Sequence, residues 1–483
     1  MTAVTPGLAL AVIGAGISVG MAAVGSGIGV GIAGATAAGV TSVKPEKFGK
    51  ALVFQAVPQT QGIYGLLVAI LILLSTGIIG GDGGNISVAS GLAALGAGIA
   101  AGVSGLSAIG QGIAASSGIA ATAERDDALG RSLVFSVIPE TQAIYGLLVA
   151  ILILSFSGLL SGNPVATNAT GLAAVGCGLA VGLAGLSAIG QGIAASGGIA
   201  ASSGKQEIFG KALVYSVIPE TQAIYGLLVA VLLLTFTGIV TENPVSDVAL
   251  GIAALGCGLA VGLAAISAIG QGIASAAGIA ATAEKDSMFG KGLVFSVIPE
   301  TQAIYGLLIA ILIMAFTGIV TGDTVATVAA GMAAIASGMA VGIAGFSGIG
   351  QGIAASSGIA ATSEKDSMFG KSLVFTVIPE TQAIYGLLIA ILLMAFTGII
   401  TGDVTVTAAV GFASIGSGVA VGLAGLSAIG QGMTAASGIA ATTARADAMG
   451  RSLIFAVMAE TFAIFGLLIA ILIMFGIGLF NGG

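Results

Sequence analysis

Five glutamates recur along the chain at nearly fixed spacing, each within a long apolar run that carries no other charge: Glu140, Glu220, Glu300, Glu380 and Glu460. A carboxylate in the middle of a membrane is energetically costly, and such residues usually serve in ion or proton transfer. The fivefold recurrence therefore predicts one ion-binding unit that has been copied along a single polypeptide.

In the second to fifth units, polar residues follow the glutamate on another side of the same predicted helix. In the second unit, residues 139–145 read PETQAIY. Each helical residue is rotated by ~100° from the one before it, so Thr141, Gln142 and Tyr145 lie roughly opposite Glu140. The glutamate and the Thr-Gln-Tyr group should therefore serve two different sites, one on each side of their hairpin. The proline before the glutamate cannot donate a backbone hydrogen bond and frees a carbonyl in the preceding turn. Oxygen ligands of this kind suit a hard cation or a proton network.

A glutamine precedes each glutamate by 29 residues, on a Gly- and Ala-rich segment: Gln111, Gln191, Gln271, Gln351 and Gln431. In a helical hairpin this separation can bring both side chains to the same depth. The alternative is a glutamine that only hydrogen-bonds a neighbouring helix. These glutamines occur only in the units that have the glutamate, which favours a shared site.

The first unit lacks half of this pattern. It keeps Thr60, Gln61 and Tyr64, but it has no glutamate, and Val30 stands in place of the first-helix glutamine. We predict that the three retained residues complete the site of the second unit.

The sixth unit lacks the complementary half. It keeps Gln431 and Glu460 but has Phe462 and Phe465 in place of the glutamine and the tyrosine. Complementary losses at the two ends are what sites shared between neighbouring hairpins require, whereas random drift need not remove opposite faces. We therefore predict five sites for six hairpins, all within one chain. No site is expected at the seam, the junction between unit six of one chain and unit one of the next.

The elements that must position these residues are membrane-spanning helices. The chain has 483 residues, a mean hydropathy of +1.15 and only 7% charged residues, which excludes a water-soluble domain. Twelve segments are apolar over the ~20 residues needed to cross the hydrocarbon. They lack the alternation of strands, and lipid then leaves only helices. The predicted fold class is an all-α membrane protein with twelve transmembrane helices arranged as six tandem helical hairpins. The predicted hairpins span residues 1–82, 83–162, 163–242, 243–322, 323–402 and 403–483.

Each unit begins with a Gly- and Ala-rich helix and ends with a helix rich in bulky apolar residues. Small residues let helices approach closely in a membrane, so we expect a tightly packed layer of first helices with the second helices outside it. Cys177 and Cys257 occupy equivalent positions in two first helices. They are expected to be small packing residues rather than parts of a disulfide framework.

The charged residues are segregated between two kinds of loop. All 13 Lys and Arg lie in the loops inside hairpins, whereas the only charged residues in the turns between hairpins are acidic. The positive-inside rule then places the basic loops in the cytoplasm and both termini on the outer side. The first residues lack the basic region of a signal peptide and are expected to lead into the first span, with their cleavage left as the alternative. The basic residues are Lys44, Lys47, Lys50, Arg125, Arg131, Lys205, Lys211, Lys285, Lys291, Lys365, Lys371, Arg445 and Arg451. Acidic residues of the turns include Asp82, Glu242, Asp247, Asp323 and Asp403.

Hairpins with a mid-membrane glutamate and the P-x-T-Q-x-x-Y run resemble the proteolipid rotor (c or K) subunit of archaeal A-type and vacuolar V-type ATPases. The resemblance covers nearly the whole chain, although six fused hairpins exceed the number usual in the family. It implies a closed rotor ring, built with further copies of the chain, that turns in the cell (plasma) membrane against a stator subunit presenting an Arg. It also implies a central-stalk subunit at the cytoplasmic loops and soluble subunits that make or hydrolyse ATP, so the chain itself is no catalytic enzyme. Membrane lipid is a further expected partner, whereas nucleic acid and an organic cofactor are not expected.

The resemblance also implies a ligand set for Na⁺. In sodium-coupled members the ion is held by the glutamate and the first-helix glutamine, together with residues of the neighbouring hairpin. The neighbouring-hairpin ligands would be Thr60, Gln61, Thr141, Gln142, Thr221, Gln222, Thr301, Gln302, Thr381 and Gln382. The backbone carbonyls would be those of Val57, Ile138, Ile218, Ile298 and Ile378. The tyrosines that bond the carboxylate would be Tyr64, Tyr145, Tyr225, Tyr305 and Tyr385.

Three alternatives remain at this point. The same rotor could carry H⁺, with Thr and Gln merely bonding a protonated glutamate. A secondary transporter or pore would more often show inverted repeats with a site at their interface, whereas here every unit has the same orientation. A purely structural membrane scaffold would not keep five costly carboxylates.

Overall fold

The computed structural model describes residues 4–81, 86–241, 243–322 and 327–481. Three acidic residues of the predicted outer turns, Asp82, Glu242 and Asp323, lie outside these ranges. Within them, twelve helices are long and apolar enough to cross a membrane, and they form six consecutive hairpins, so the predicted fold class is confirmed. The first helices are α1 (Pro6–Val43), α3 (Val88–Glu124), α5 (Asn168–Gly204), α7 (Val248–Glu284), α9 (Val328–Glu364) and α11 (Ala408–Ala444). The second helices are α2 (Pro45–Ser75), α4 (Asp126–Phe156), α6 (Gln206–Phe236), α8 (Met288–Phe316), α10 (Asp366–Phe396) and α12 (Ala446–Gly476).

The first helices pack side by side in one layer, and each second helix packs on the first helix of its own hairpin and, up to the fifth hairpin, on that of the next. Glycine makes this packing possible. A Cβ on Gly192 of α5 would lie 2.1 Å from the carbonyl oxygen of Gly110 on α3, and a Cβ on Gly110 would lie 1.9 Å from that of Ala188. No side chain fits at these distances, so the Gly-rich composition lets neighbouring backbones touch.

The ends of the first helices are defined by polar residues. Thr5, Ser87, Thr167, Thr327 and Thr407 each accept a hydrogen bond from a backbone N–H of the first turn, which satisfies a donor that the helix leaves free. Asp247 performs the same function for α7.

Basic residues follow the last residue of every first helix, and the lysines among them reach across to the next hairpin. The Lys44 ammonium donates to the carbonyl of Ala123 at 2.8 Å, and Lys365 donates to that of Thr443 at 2.6 Å. A cation at a helix C-terminus interacts favourably with its free carbonyls. The loop lysines therefore connect neighbouring hairpins, a contact that their clustering in the sequence did not predict.

Cys177 and Cys257 are free and fully buried. The thiol of Cys177 donates to the carbonyl of Ala230 at 3.4 Å. Ser337 and Ser417 fill the equivalent places in other hairpins and donate to the carbonyls of Ala390 and Ala470, both at 3.1 Å. A small side chain occupies this contact in every repeat, Ala97 included, and from the third hairpin to the sixth it also donates a hydrogen bond to the second helix.

Candidate functional site

Each glutamate from the second hairpin to the fifth lies at an irregular turn in the middle of its second helix. In α4 the turn is a short 3₁₀ segment, Ile138–Glu140, and the same segment recurs in α6, α8 and α10. The proline at its centre has no N–H, so the α-helical hydrogen-bond pattern is interrupted there. Glu140 itself is half-buried. The proline thus places the carboxylate at a break in the helix.

Neighbouring hairpins meet at this carboxylate. The Tyr64 hydroxyl, from the first hairpin, donates to Oε1 of Glu140 at 2.6 Å, and Nε2 of Gln111 donates to its Oε2 at 3.3 Å. Nε2 of Gln61 donates to Oε1 of Gln111 at 2.6 Å, and the Thr60 hydroxyl donates to Oε1 of Gln61 at 3.1 Å. One continuous hydrogen-bonded cluster therefore contains two side chains of the second hairpin and three of the first.

Four further clusters repeat this arrangement along the chain. The tyrosine-to-glutamate bonds are Tyr145–Glu220 at 2.7 Å, Tyr225–Glu300 at 2.5 Å, Tyr305–Glu380 at 2.6 Å and Tyr385–Glu460 at 2.5 Å. The glutamine-to-glutamate bonds are Gln191–Glu220 at 3.0 Å, Gln271–Glu300 at 3.1 Å, Gln351–Glu380 at 3.2 Å and Gln431–Glu460 at 3.4 Å. The bonds between glutamines are Gln142–Gln191 at 2.8 Å, Gln222–Gln271 at 3.0 Å, Gln302–Gln351 at 2.8 Å and Gln382–Gln431 at 2.6 Å.

Both glutamines of every cluster are completely buried. Burial without a partner is unfavourable for an amide, and each amide here has at least one side-chain partner in the cluster. The threonine hydroxyls also lie close to the predicted backbone carbonyls. The Oγ1 atoms are within hydrogen-bonding distance of the carbonyl oxygens of Val57 at 3.3 Å, Ile138 at 3.1 Å, Ile218 at 2.9 Å, Ile298 at 3.1 Å and Ile378 at 3.0 Å, so the single hydroxyl hydrogen can be directed to the carbonyl or to the adjacent glutamine. Each cluster thus gathers one carboxylate, two amides, two hydroxyls and a carbonyl oxygen.

The last hairpin differs from the others as the sequence indicates. Phe462 and Phe465 of α12 are 63% and 55% exposed, and they pack edge-to-face with ring centroids 6.1 Å apart. The described chain therefore presents an apolar surface at the position where the other hairpins carry the Gln-Tyr half of a cluster.

The six repeated units each match a known protein family. The sequence model of the ATP synthase C subunit matches six segments, residues 13–72, 95–153, 175–233, 255–313, 335–393 and 404–473. The chain belongs to the family of the ATP synthase C subunit. Each matched segment falls within one of the six hairpin ranges predicted from the sequence, although the exact limits of those ranges stay a prediction.

The chain has relatives in both A-type and V-type complexes. It is 55% identical to the A-type ATP synthase subunit K of Methanocaldococcus jannaschii over 222 residues, which are 46% of this chain and 94% of that protein. It is 36% identical to the V-type sodium ATPase subunit K of Enterococcus hirae over 121 residues, 25% of this chain and 74% of that protein. It is 32% identical to the 16 kDa proteolipid c subunit of the V-type proton ATPase of Nephrops norvegicus over 127 residues, 26% and 78% of the two chains.

Together with the twelve membrane-spanning helices, these relatives confirm the predicted recognition, a multi-pass rotor proteolipid of the A-type and V-type class with six fused hairpins. The prediction that the chain is an ion-translocating component and not itself a catalytic enzyme is likewise confirmed by its membership of this family. The roles of individual residues in holding an ion, and the identity of that ion, stay predictions.

One feature of the site was not predicted from the sequence. The first helices that carry the glutamine are also broken, one turn before it. The break is a 3₁₀ segment at Gly105–Ser107, Ala265–Ser267 and Gly425–Ser427. A turn at the same place separates Ala184 from Ser187 and Ala344 from Ser347. By contrast, α1, which has no such glutamine, is an unbroken α-helix from Pro6 to Val43. A serine lies four residues before each glutamine, but Ser26 lies equally far before Val30 in the unbroken α1, so this serine alone does not signal the break.

Proposed function

We propose that this chain carries five Na⁺ ions on its mid-membrane glutamates and moves them across the membrane as part of a rotor ring. In the first site Glu140 and Gln111 would bind the ion with Thr60, Gln61 and the carbonyl of Val57, while Tyr64 holds the carboxylate. The other four sites use the equivalent residues. Ion flow would then be coupled to ATP synthesis or hydrolysis in partner subunits.

The observation that carries this proposal is the fivefold cluster shared between hairpins. Its neutral oxygens, from two amides, a hydroxyl and a carbonyl, are the hard donors that alkali and alkaline-earth cations prefer. In each cluster the Oε1 atom of the first-helix glutamine accepts from the amide of the neighbouring hairpin. An amide oxygen has two lone pairs, so it can accept this bond with one and turn the other toward a cation.

Charge balance favours a monovalent ion. One carboxylate surrounded by neutral groups has one net negative charge, which a single monovalent cation neutralises. A neutral, loaded site can face lipid, whereas an empty charged site cannot, because an isolated charge in hydrocarbon is strongly disfavoured. Loading must then precede rotation of each site away from the stator, and this requirement couples ion movement to turning.

The remaining parts of the proposal concern the assembly. The ring would contain further copies of this chain, turn in the plasma membrane beside a stator subunit that presents an Arg, and bind a central-stalk subunit at its cytoplasmic loops. The basic residues of those loops favour the cytoplasmic side for them and the outer side for both termini. The exposed phenylalanines of α12 would form part of an apolar seam between chains.

Carbodiimide labelling of the purified ring tests the choice of ion. The reagent modifies a protonated carboxyl group, so a bound Na⁺ should protect each glutamate at near-neutral pH. Because the five glutamates lie in different stretches of sequence, peptide mass spectrometry can report each one separately. We expect Na⁺, but not K⁺ at equal ionic strength, to protect all five. Labelling that is the same with and without Na⁺ would contradict the proposal and favour the proton-coupled rotor.

A further inference from the structure

A serine lies one helical turn before each first-helix glutamine, at the break in the helix: Ser107, Ser187, Ser267, Ser347 and Ser427. Residues four apart share one face of a helix, so these serines lie on the same side as the glutamines. Ser107, Ser187, Ser267 and Ser347 are completely buried. None of these residues is part of the predicted ligand set.

The hydroxyls differ in their partners. The Ser267 hydroxyl donates to Oε1 of Gln222, a residue of the preceding hairpin and of the third cluster, at 2.8 Å. The hydroxyls of Ser107, Ser187, Ser347 and Ser427 are buried and have no hydrogen-bond partner among the described residues. A buried hydroxyl without a partner is unfavourable, and such groups in a repeated site call for an explanation.

The third cluster shows what the serine can replace. In the other four clusters the amide oxygen of the neighbouring-hairpin glutamine accepts from its own threonine, at 3.0 to 3.3 Å. In the third cluster the amide oxygen of Gln222 accepts from Ser267 instead, and Thr221 donates to the carbonyl of Ile218 at 2.9 Å. The same amide oxygen is thus bonded by a threonine in four sites and by a serine in one.

The first hairpin provides an internal comparison. Ser26 occupies the equivalent position on α1, but α1 is unbroken and carries Val30 in place of the glutamine. The Ser26 hydroxyl accepts from the backbone N–H of Gly62 at 2.8 Å. Where no glutamine follows, the serine therefore bonds to the backbone of its own hairpin.

We propose that the five serines are positioning residues of the ion sites, an inference that rests on the proposed Na⁺ function. When the threonine oxygen turns to the cation, its hydrogen leaves the glutamine, and the serine supplies the hydrogen bond to Oε1 in its place. An amide oxygen has two lone pairs, so it can accept from the serine with one and face the cation with the other. The serine thereby holds the ligand of the neighbouring hairpin in its binding orientation.

Changing one serine tests this role, because the same chain contains four unchanged sites. In Ser187→Ala, half-protection of Glu220 from carbodiimide should require about three- to tenfold more Na⁺, the range for loss of one hydrogen bond. Protection of Glu140, Glu300, Glu380 and Glu460 should stay as in the wild type, which shows that the ring is intact. Ser26→Ala is the matched control and should change none of the five glutamates.

Ser187→Cys separates hydrogen bonding from packing. The thiol is larger than the hydroxyl but a weaker donor, so a positioning role predicts a shift smaller than that of Ser187→Ala. A purely structural role predicts the larger side chain to be the worse of the two. Two results would overturn the serine proposal while leaving the Na⁺ function intact. One is an unchanged half-protecting Na⁺ concentration for Glu220 in Ser187→Ala. The other is a larger shift of that concentration in Ser187→Cys than in Ser187→Ala. If Na⁺ protects no glutamate of the wild type, both proposals are wrong.

Discussion

Glu220→Gln is expected to reduce the number of tightly bound Na⁺ ions from five to four per chain while the ring remains assembled. The amide matches the carboxylate in size and can still accept a hydrogen bond from Tyr145, which donates to Glu220 at 2.7 Å. It has no charge, however, and a cation enclosed by neutral groups in the membrane interior lacks the compensation that makes its burial tolerable. Binding at this one site should therefore be lost completely.

The measurement is the Na⁺ content of the purified ring after rapid removal of free ions, with assembly followed by native mass spectrometry. Glu284→Gln is a suitable control, because Glu284 ends α7 beside the basic loop and its substitution removes the same charge away from the clusters. That variant should retain five ions per chain. Loss of the assembled ring in Glu220→Gln would mean that the glutamate is structural, and retention of five ions would mean that it is not a ligand.

A sixth site should appear when both missing halves are restored at the seam. The first hairpin would receive Val30→Gln and Gln59→Glu, and the last would receive Ala459→Pro, Phe462→Gln and Phe465→Tyr. Thr461 is already present in the sequence. Each change installs the residue that the intact clusters carry at that position, so the junction between two chains should bind one more Na⁺, giving six ions per chain by the same assay.

The half-restored variants are the controls for this prediction. Val30→Gln with Gln59→Glu alone places a carboxylate at the seam with no tyrosine or amide of the adjoining hairpin to bond it. A buried charge without its partner is strongly destabilising, typically by about 3–5 kcal/mol, so we expect weaker assembly and no sixth ion. The three changes on the last hairpin alone should also leave the count at five. A sixth ion in either half-variant would contradict the idea that each site needs two hairpins.

Much of the site could be predicted from the sequence because the unit is copied. The recurrence of Glu, Gln, Thr and Tyr separated these residues from chance polar positions in apolar helices. The pairing of neighbouring hairpins followed from the two imperfect ends, where Val30 and Phe462 remove opposite halves. Helical geometry then placed Tyr64 and Glu140 on the facing sides of neighbouring hairpins. In the structure the Tyr64 hydroxyl lies 2.6 Å from Oε1 of Glu140.

The breaks in the first helices could not be predicted in the same way. No proline marks them, unlike the breaks in the second helices of the first five hairpins, and serine is an ordinary residue in a Gly- and Ala-rich segment. A break of this kind depends on how neighbouring backbones pack, which is a tertiary effect. The reach of Lys44 to the carbonyl of Ala123 in the next hairpin was also invisible, because it depends on the spacing between hairpins.

The ratio of carboxylates to hairpins is relevant to whether the rotor serves ATP synthesis or ATP-driven ion pumping. If each of the five clusters carries one ion, as proposed, the ring moves five ions per chain in each full turn. A rotor with many carboxylates divides the free energy of each ATP among more ions, so a smaller ion gradient suffices to drive synthesis. On that proposal, the number of carboxylates would favour ATP synthesis over pumping.

The most direct test is a density map of the wild-type ring in Na⁺, at a resolution that shows bound ions. The map shows whether each ion lies between two neighbouring hairpins of one chain. We expect five ion peaks per chain, each lying between a glutamate and the Thr-Gln pair of the preceding hairpin, and none at the seam beside Phe462. A peak at the junction between two chains, or no peak beside Glu140, would contradict this account.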